Sequence, residues 1–182
     1  MNFNLLPAPG QLQKTIEAVR TRGITVSLVE TKESALIQVQ SLIPAGATLM
    51  TGASVTLQQI GFQDLLTSKQ HPWRNFKELI LAEKDPAKQA ALRKQGTLAD
   101  YFLGSVHAIA ETGEIFIASA TGSQLPAYAF SSSHVIWVAG AQKITPTLET
   151  AFQRVRAAPG RSAHEATLRK RSAQLYRKTL DL

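Results

Sequence analysis

The sequence contains no cysteine. That absence excludes disulfides, thiolate-bound zinc, iron–sulfur clusters and a cysteine nucleophile together. Histidine is scarce: His71, His107, His134 and His164 are widely separated, without the spacing that gathers metal ligands, so no metal and no evident cofactor is expected. No apolar run approaches the roughly 18 residues that a bilayer-spanning helix needs. The opening MNFNLLPAPGQLQK lacks the basic start, apolar core and cleavage site of an export signal, so the expectation is a cytoplasmic protein without a membrane partner. A basic excess is also missing from most of the chain. Residues 1–153 carry 12 Lys/Arg against 11 Asp/Glu, whereas residues 154–182 carry 8 against 2, so the net charge of +7 belongs to the tail. A domain-wide nucleic-acid surface needs basic residues spread over the folded body, and nucleic acid is not the expected partner.

What is present is enough for one domain: 182 residues, 44% apolar and 18% charged. QLQKTIEAVRTRG places Leu12, Ile16 and Val19 at helical spacing and closes on Gly23. ITVSLVE alternates as a strand, and KESALIQVQSLIPAG resumes helical spacing through Leu36, Val39 and Ile43. ATLMTGAS reads as a second strand leading through a polar turn into the amphipathic TLQQIGFQDLL. TSKQHPWRNFKE shows no period and reads as a loop or excursion. Asp85-Pro86 reads as an N-cap followed by proline at the first helical position of a helix reaching about Gln95. ADYFLG, VHAIA, EIFIAS and HVIWVAG are short strand-like runs, and Pro146 is expected in the first turn of a helix over ITPTLETAFQRV. Strands alternating with helices predict an α/β domain with a largely parallel sheet and helices on both faces. ITVSLVE, ATLMTG and HVIWVAG are expected in one sheet. Residues 1–158 form the predicted domain, and residues 159–182 a basic, helical, weakly packed tail.

In such sheets ligands bind beyond the carboxyl ends of the strands. Three turns qualify. In TGASVT, Gly52, Ser54 and Thr56 offer backbone N–H groups and hydroxyls to an anion, or simply an N-cap and a tight turn. Glu111-Thr112-Gly113 sets a carboxylate at a strand end, as a nucleophile or general acid/base, or as the solvated tip of a hairpin in which Gly113 supplies the positive φ. In ATGSQLP, Gly122, Ser123 and Gln124 would bind a carboxylate or phosphate, or satisfy loop backbone. Lys143 precedes the last predicted helix, where it would neutralise a bound anion or remain solvated. Trp73, Trp137, Phe116 and Phe130 read as packing residues. His107 and His134 open apolar runs as structural histidines.

GASVTLQQIGF, ADYFLGSVHAIAETGEIFIASATGSQLPAYAF and HVIWVAGAQKITPTLETAF together resemble the LUD family of lactate-utilization proteins, over roughly residues 10–155. The resemblance implies the three-layer α/β/α fold shared by ribose-phosphate isomerase, glucosamine-phosphate deaminase and the CoA transferases. In class I CoA transferases a glutamate in an E-x-G turn attacks the acyl group, and Glu111-Thr112-Gly113 is similar to that turn. It implies a small organic acid or anion as ligand, a CoA ester as a candidate substrate, and other lactate-utilization subunits as partners. Without cysteines the chain resembles the cluster-free component of such systems. The expected function is binding of a small organic acid or an activated acyl derivative, with Glu111 as nucleophile or acid/base. The alternative is a non-catalytic accessory or assembly subunit of lactate oxidation. The three turns are expected to converge on one pocket.

Overall fold

The structure, a computed structural model of the chain, describes residue 3 and residues 5–119 and 121–157. The basic tail predicted over 159–182 lies outside the described residues. In chain order the elements are helices α1 (Pro9–Arg20) and α2 (Lys32–Ser41), strand β1 (Thr48–Thr51), α3 (Val55–Gln59), α4 (Phe62–Ser68), β2 (Arg74–Asn75), α5 (Phe76–Ala82) and α6 (Pro86–Gln95). Then follow β3 (Tyr101–Gly104), β4 (Ala108–Ala110), β5 (Ile115–Phe116), β6 (His134–Trp137), β7 (Ile144–Thr145) and α7 (Leu148–Ala157). They fall into two compact units: the described residues within 1–23, 107–122 and 142–182, and a second unit of Ile24–Val106 and Ser123–Ala141.

The second unit is built on a parallel four-stranded sheet in the order β2-β1-β3-β6. Side chains alternate across it, and the register fixes which residues share a face. Leu49 pairs with Tyr101, and Leu103 with Ile136, on one face. That face packs on Ala35 and Val39 of α2, Leu57 of α3, and Phe62 and Leu66 of α4. Leu49, Leu57, Phe62 and Leu103 are wholly buried, and each such side chain contributes about 1.5–3 kcal/mol of transfer free energy. Trp73 closes the layer, stacking on His71 and donating from Nε1 to the Ile43 carbonyl at 3.1 Å. On the other face Phe102 meets the ring edge of Tyr128, and Met50 packs on Gly96.

Local chemistry sets the helix starts. Ser54 and Asn75 accept from backbone N–H groups at the heads of α3 and α5. Asp85 caps α6 with bonds from the N–H groups of Ala87 and Lys88, as the Asp-Pro pair predicts. The excursion at 67–78 contains the short strand β2, missed because two residues carry no detectable alternation.

The first unit holds a three-stranded sheet in the order β5-β4-β7, with β4 antiparallel to β5 and parallel to β7. Helix α7 covers it, burying Ala151 and setting Phe152 edge-on to Phe116. Helix α1 buries Thr15, Ile16 and Val19. Strands are thus mostly parallel and flanked by helices: the α/β class, consistent with a three-layer α/β/α fold.

Two expectations fail. Residues 24–30 join neither sheet. Their alternation makes extended chain, with Ile24 and Val26 half-buried, but Leu28 is 60% exposed and gains too little burial to hold a strand position. ATLMTG and HVIWVAG do share a sheet, as β1 and β6. The last helix also begins later than expected: Ile144 and Thr145 form β7, and Pro146 lies before α7. Proline lacks an N–H and fits the break between strand and helix as readily as a first helical turn.

Candidate functional site

The first unit shows why a carboxylate stands between two buried runs. Strands β4 and β5 form a hairpin whose turn is Glu111 to Glu114, with the Gly113 N–H donating to the Ala110 carbonyl at 2.8 Å. Gly113 has φ +93°, and a Cβ there would lie 2.6 Å from the Ala18 carbonyl oxygen, so both the turn and the neighbouring α1 require glycine. Arg22 donates to the Thr112 carbonyl at 2.8 Å and also contacts the Glu114 carboxylate, which Thr112 bonds in turn. The backbone is the hairpin that the sequence allows, but its two glutamates are not alike. Glu114 is partly exposed, while Glu111 is only 9% exposed.

Glu111 continues the pairing of β4 with β7, its N–H donating to the Thr145 carbonyl at 2.9 Å. This places it just past the carboxyl end of β4. Its Oε1 accepts from Gln11 Nε2 at 2.8 Å, and its Oε2 lies 3.6 Å from Lys14 Nζ. Lys14 is 69% exposed, and such a solvated ion pair contributes only about 0–1 kcal/mol. The Gln11 bond is the firmer tether. Gln11 and Lys14 stand three apart on α1, hence on one helix face.

Glu111 lines a cavity of about 300 Å³ built from first-unit residues. Leu5, Leu6 and Pro7 supply an apolar wall, and Gln11, Gln142, Thr145 and Thr150 supply polar groups. A carboxylate in a small concave space with a few convergent polar groups is the usual makeup of a ligand site.

Lys143 follows the cavity-lining Gln142 and belongs to a cationic cluster with His107 and Arg154. Burial, and then the Arg154 charge, push the Lys143 amine down to about 8. Burial, then Lys143 and Arg154, lower His107 below its ordinary value. The His107 Nδ1 accepts from the Ala118 N–H at 3.2 Å, which leaves the proton of the neutral ring on Nε2. Arg154 donates to the His107 carbonyl at 2.9 Å. Gly122 (φ +73°) donates from its N–H to Ser119 Oγ at 2.9 Å.

The remaining expected residues belong to the second unit. Ser54 accepts from the Leu57 N–H at 3.2 Å as an N-cap. Thr56 Oγ1 is 3.3 Å from the Ser105 hydroxyl, which donates to the Val138 carbonyl. The Gly52 N–H donates to the Leu103 carbonyl at 2.9 Å. Ser123 Oγ lies 3.5 Å from Gln124 Oε1. The sequence did not point to Tyr128. Its hydroxyl is 3.4 Å from the Cβ position of Gly52 and fills the space that a Gly104 side chain would need. Burial pushes that hydroxyl up to about 12. Among the described residues no group of three His, Cys, Asp or Glu is placed to hold a metal ion, and no helix is long and apolar enough to cross a membrane.

Fold and turn together define an α/β protein with a mostly parallel sheet and a hairpin glutamate at a strand end. The LUD domain matches residues 12–175, and the chain belongs to the LUD domain family. That domain is linked in general to lactate-utilization proteins. The match reaches beyond residue 155, where the recognisable motifs end. Comparison with curated proteins gives no match, and comparison with solved structures gives none.

Proposed function

We propose that the protein acts in cytoplasmic organic-acid metabolism linked to lactate, and that its first unit binds a small organic acid or an activated acyl derivative at Glu111. The observation that carries this reading is a carboxylate 9% exposed on the wall of a cavity of about 300 Å³, tethered through one oxygen by Gln11. Acidic side chains are rarely buried unless paired or functional, and the exposed Lys14 is a weak partner. With a CoA ester as substrate, a Glu111 oxygen attacks the thioester carbonyl. A C–O bond forms, the C–S bond breaks, and CoA leaves as thiolate. The thiolate then attacks the Glu111 carbonyl of the resulting anhydride, releasing the first acid as a carboxylate and leaving a glutamyl-CoA thioester. The incoming carboxylate attacks this thioester, and the thiolate it expels attacks the carbonyl of the second acid, forming the new CoA ester and freeing Glu111. With a hydroxy acid, the same carboxylate accepts a hydrogen bond from the hydroxyl and is placed as the general base for a coupled step at the hydroxyl-bearing carbon. Thr112 and Gly113 shape the turn, and Gly122 and Lys143 orient an anionic ligand. In the second unit the proposed contacts are Gly52, Ser54 and Thr56 with an anionic group, and Ser123 and Gln124 with a ligand carboxylate or phosphate.

A second reading has its own observation. Both Glu111 oxygens face α1, the arrangement of a strut joining hairpin to helix, and this suits a non-catalytic accessory subunit of lactate oxidation. Incubation with an acyl-CoA and a second organic acid separates the two. The catalytic reading expects acyl exchange and a glutamyl adduct detectable by mass, both lost in Glu111→Gln. Ligand binding without exchange, equal in wild type and Glu111→Gln, would establish the accessory reading instead.

A further inference from the structure

Lys77 has no role in the reading above, yet its setting is unusual. It is half-buried in α5, and its amine makes one contact among the described residues, 3.5 Å to the buried hydroxyl of Thr51 at the end of β1. No carboxylate of the described residues lies within ion-pair distance of it. Beside it the second unit has a cavity of about 470 Å³, between α4 and α5, with Leu66 and Leu81 as apolar walls and Gln63, Asn75 and Lys69 as polar ones. Glu78 also lines it. Its Oε1 accepts from Asn75 Nδ2 at 3.2 Å and lies 3.4 Å from His71 Nε2.

We propose that this cavity is a second ligand site, taking a small organic anion whose carboxylate or phosphate sits on Lys77 and whose hydroxyl donates to Glu78. A half-buried ammonium contacting only a hydroxyl has lost hydration without gaining a counter-charge, and an anion restores that loss. Lys69, exposed at the mouth, attracts the same charge from solvent. Glu78 restricts the choice: a bare anion is repelled by its carboxylate, whereas one with a hydroxyl offers it a hydrogen bond. The apolar walls accommodate a short carbon skeleton. Burial already holds the Lys77 amine below the ordinary lysine value, so ligand binding should raise it again.

Calorimetry with glycerol 3-phosphate and with 3-hydroxybutyrate tests the site, with glycerol as the uncharged control. The expected result is saturable binding of at least one anion and none of glycerol, weakened about tenfold or more in Lys77→Met. NMR of ¹³C-methylated lysines should then show the Lys77 signal shifting saturably and titrating at higher pH with ligand present. Which anion saturates tells phosphate from carboxylate. Equal binding in Lys77→Met, uniform drift of all lysine signals, or no saturation by either anion overturns the proposal. The site is independent of Glu111, so Glu111→Gln should bind as wild type does. Loss of binding in that variant would assign the ligand to the Glu111 cavity and overturn the second site alone. If Lys77→Met fails to melt cooperatively, Lys77→Gln and the wild-type Lys77 signal carry the same decision.

Discussion

Replacing Gly113 by alanine tests the contact between hairpin and helix that holds Glu111. Two costs follow from the geometry. At φ +93° an L-residue is strained, worth about 1–2 kcal/mol. The new methyl would also stand 2.6 Å and 2.7 Å from the carbonyl oxygen and carbon of Ala18, backbone atoms within α1 that no rotamer change can move. Overpacking of that kind costs about 1–3 kcal/mol. The sum, about 2–5 kcal/mol, lowers the melting temperature by roughly 4–20 °C for a chain of this length. Gly23→Ala isolates the first cost, because Gly23 has φ +79° and nothing within 4 Å of its Cβ position. Thermal unfolding by circular dichroism should therefore show Gly113→Ala melting clearly below Gly23→Ala. Equal melting temperatures for the two variants would refute the packing of Gly113 on Ala18, and with it the placement of the hairpin that presents Glu111 to Gln11.

Lys143 has a lowered proton affinity when folded, so the unfolded chain binds more protons from about pH 8 up to the ordinary lysine range, and stability rises with pH across that window. Denaturant unfolding from pH 7.5 to 10.5 should show the rise in wild type and its loss in Lys143→Met. Asp100 has the same sign at the acid end: the Thr48 hydroxyl, then the Thr48 N–H, hold its carboxylate below the ordinary range, so its stabilisation is present above that range and fades as pH falls through the lowered value. Asp100→Asn should flatten the acid limb of the same unfolding series. Tyr128 should ionise late, near pH 12, in an absorbance titration at 295 nm, and Tyr128→Phe should remove that late phase.

Helices with an apolar stripe and a definite start were legible from sequence. Asp85-Pro86 fixed α6 to the residue, because the cap and the missing N–H act within one turn. Strands were legible where burial was strong, as in Leu49, Phe102 and Leu103, and also in the less buried runs that became β5 and β6. Residues 24–30 carried the same alternation without finding a partner, since pairing depends on distant chain that a local pattern does not encode. Glu111 was visible as a carboxylate at a strand end, with a hairpin as the competing reading. The structure shows a hairpin with a buried acid, an outcome that the residue pattern could not separate from either. Gln11 and Lys14 were out of reach: their spacing shows one helix face, but nothing in the helix says that it meets a residue a hundred positions later.

The chain enters the first unit three times and the second twice. The parallel pairing of β4 with β7 and the bond from Gln11 to Glu111 therefore close only over long intervening stretches. Most of the second unit is one continuous run, Ile24–Val106, which contains both partners of the β1–β3 pairing and lies wholly between Gln11 and Glu111. Loop-closure entropy grows with the length of free chain, so prior collapse of that run shortens what the first unit must close. The expected order of folding follows from that shortening: the β1–β3 pairing inside the run forms before the bond from Gln11 to Glu111 closes. Refolding followed by pulsed hydrogen exchange should protect the amides of Met50 and Leu103 before that of Glu111.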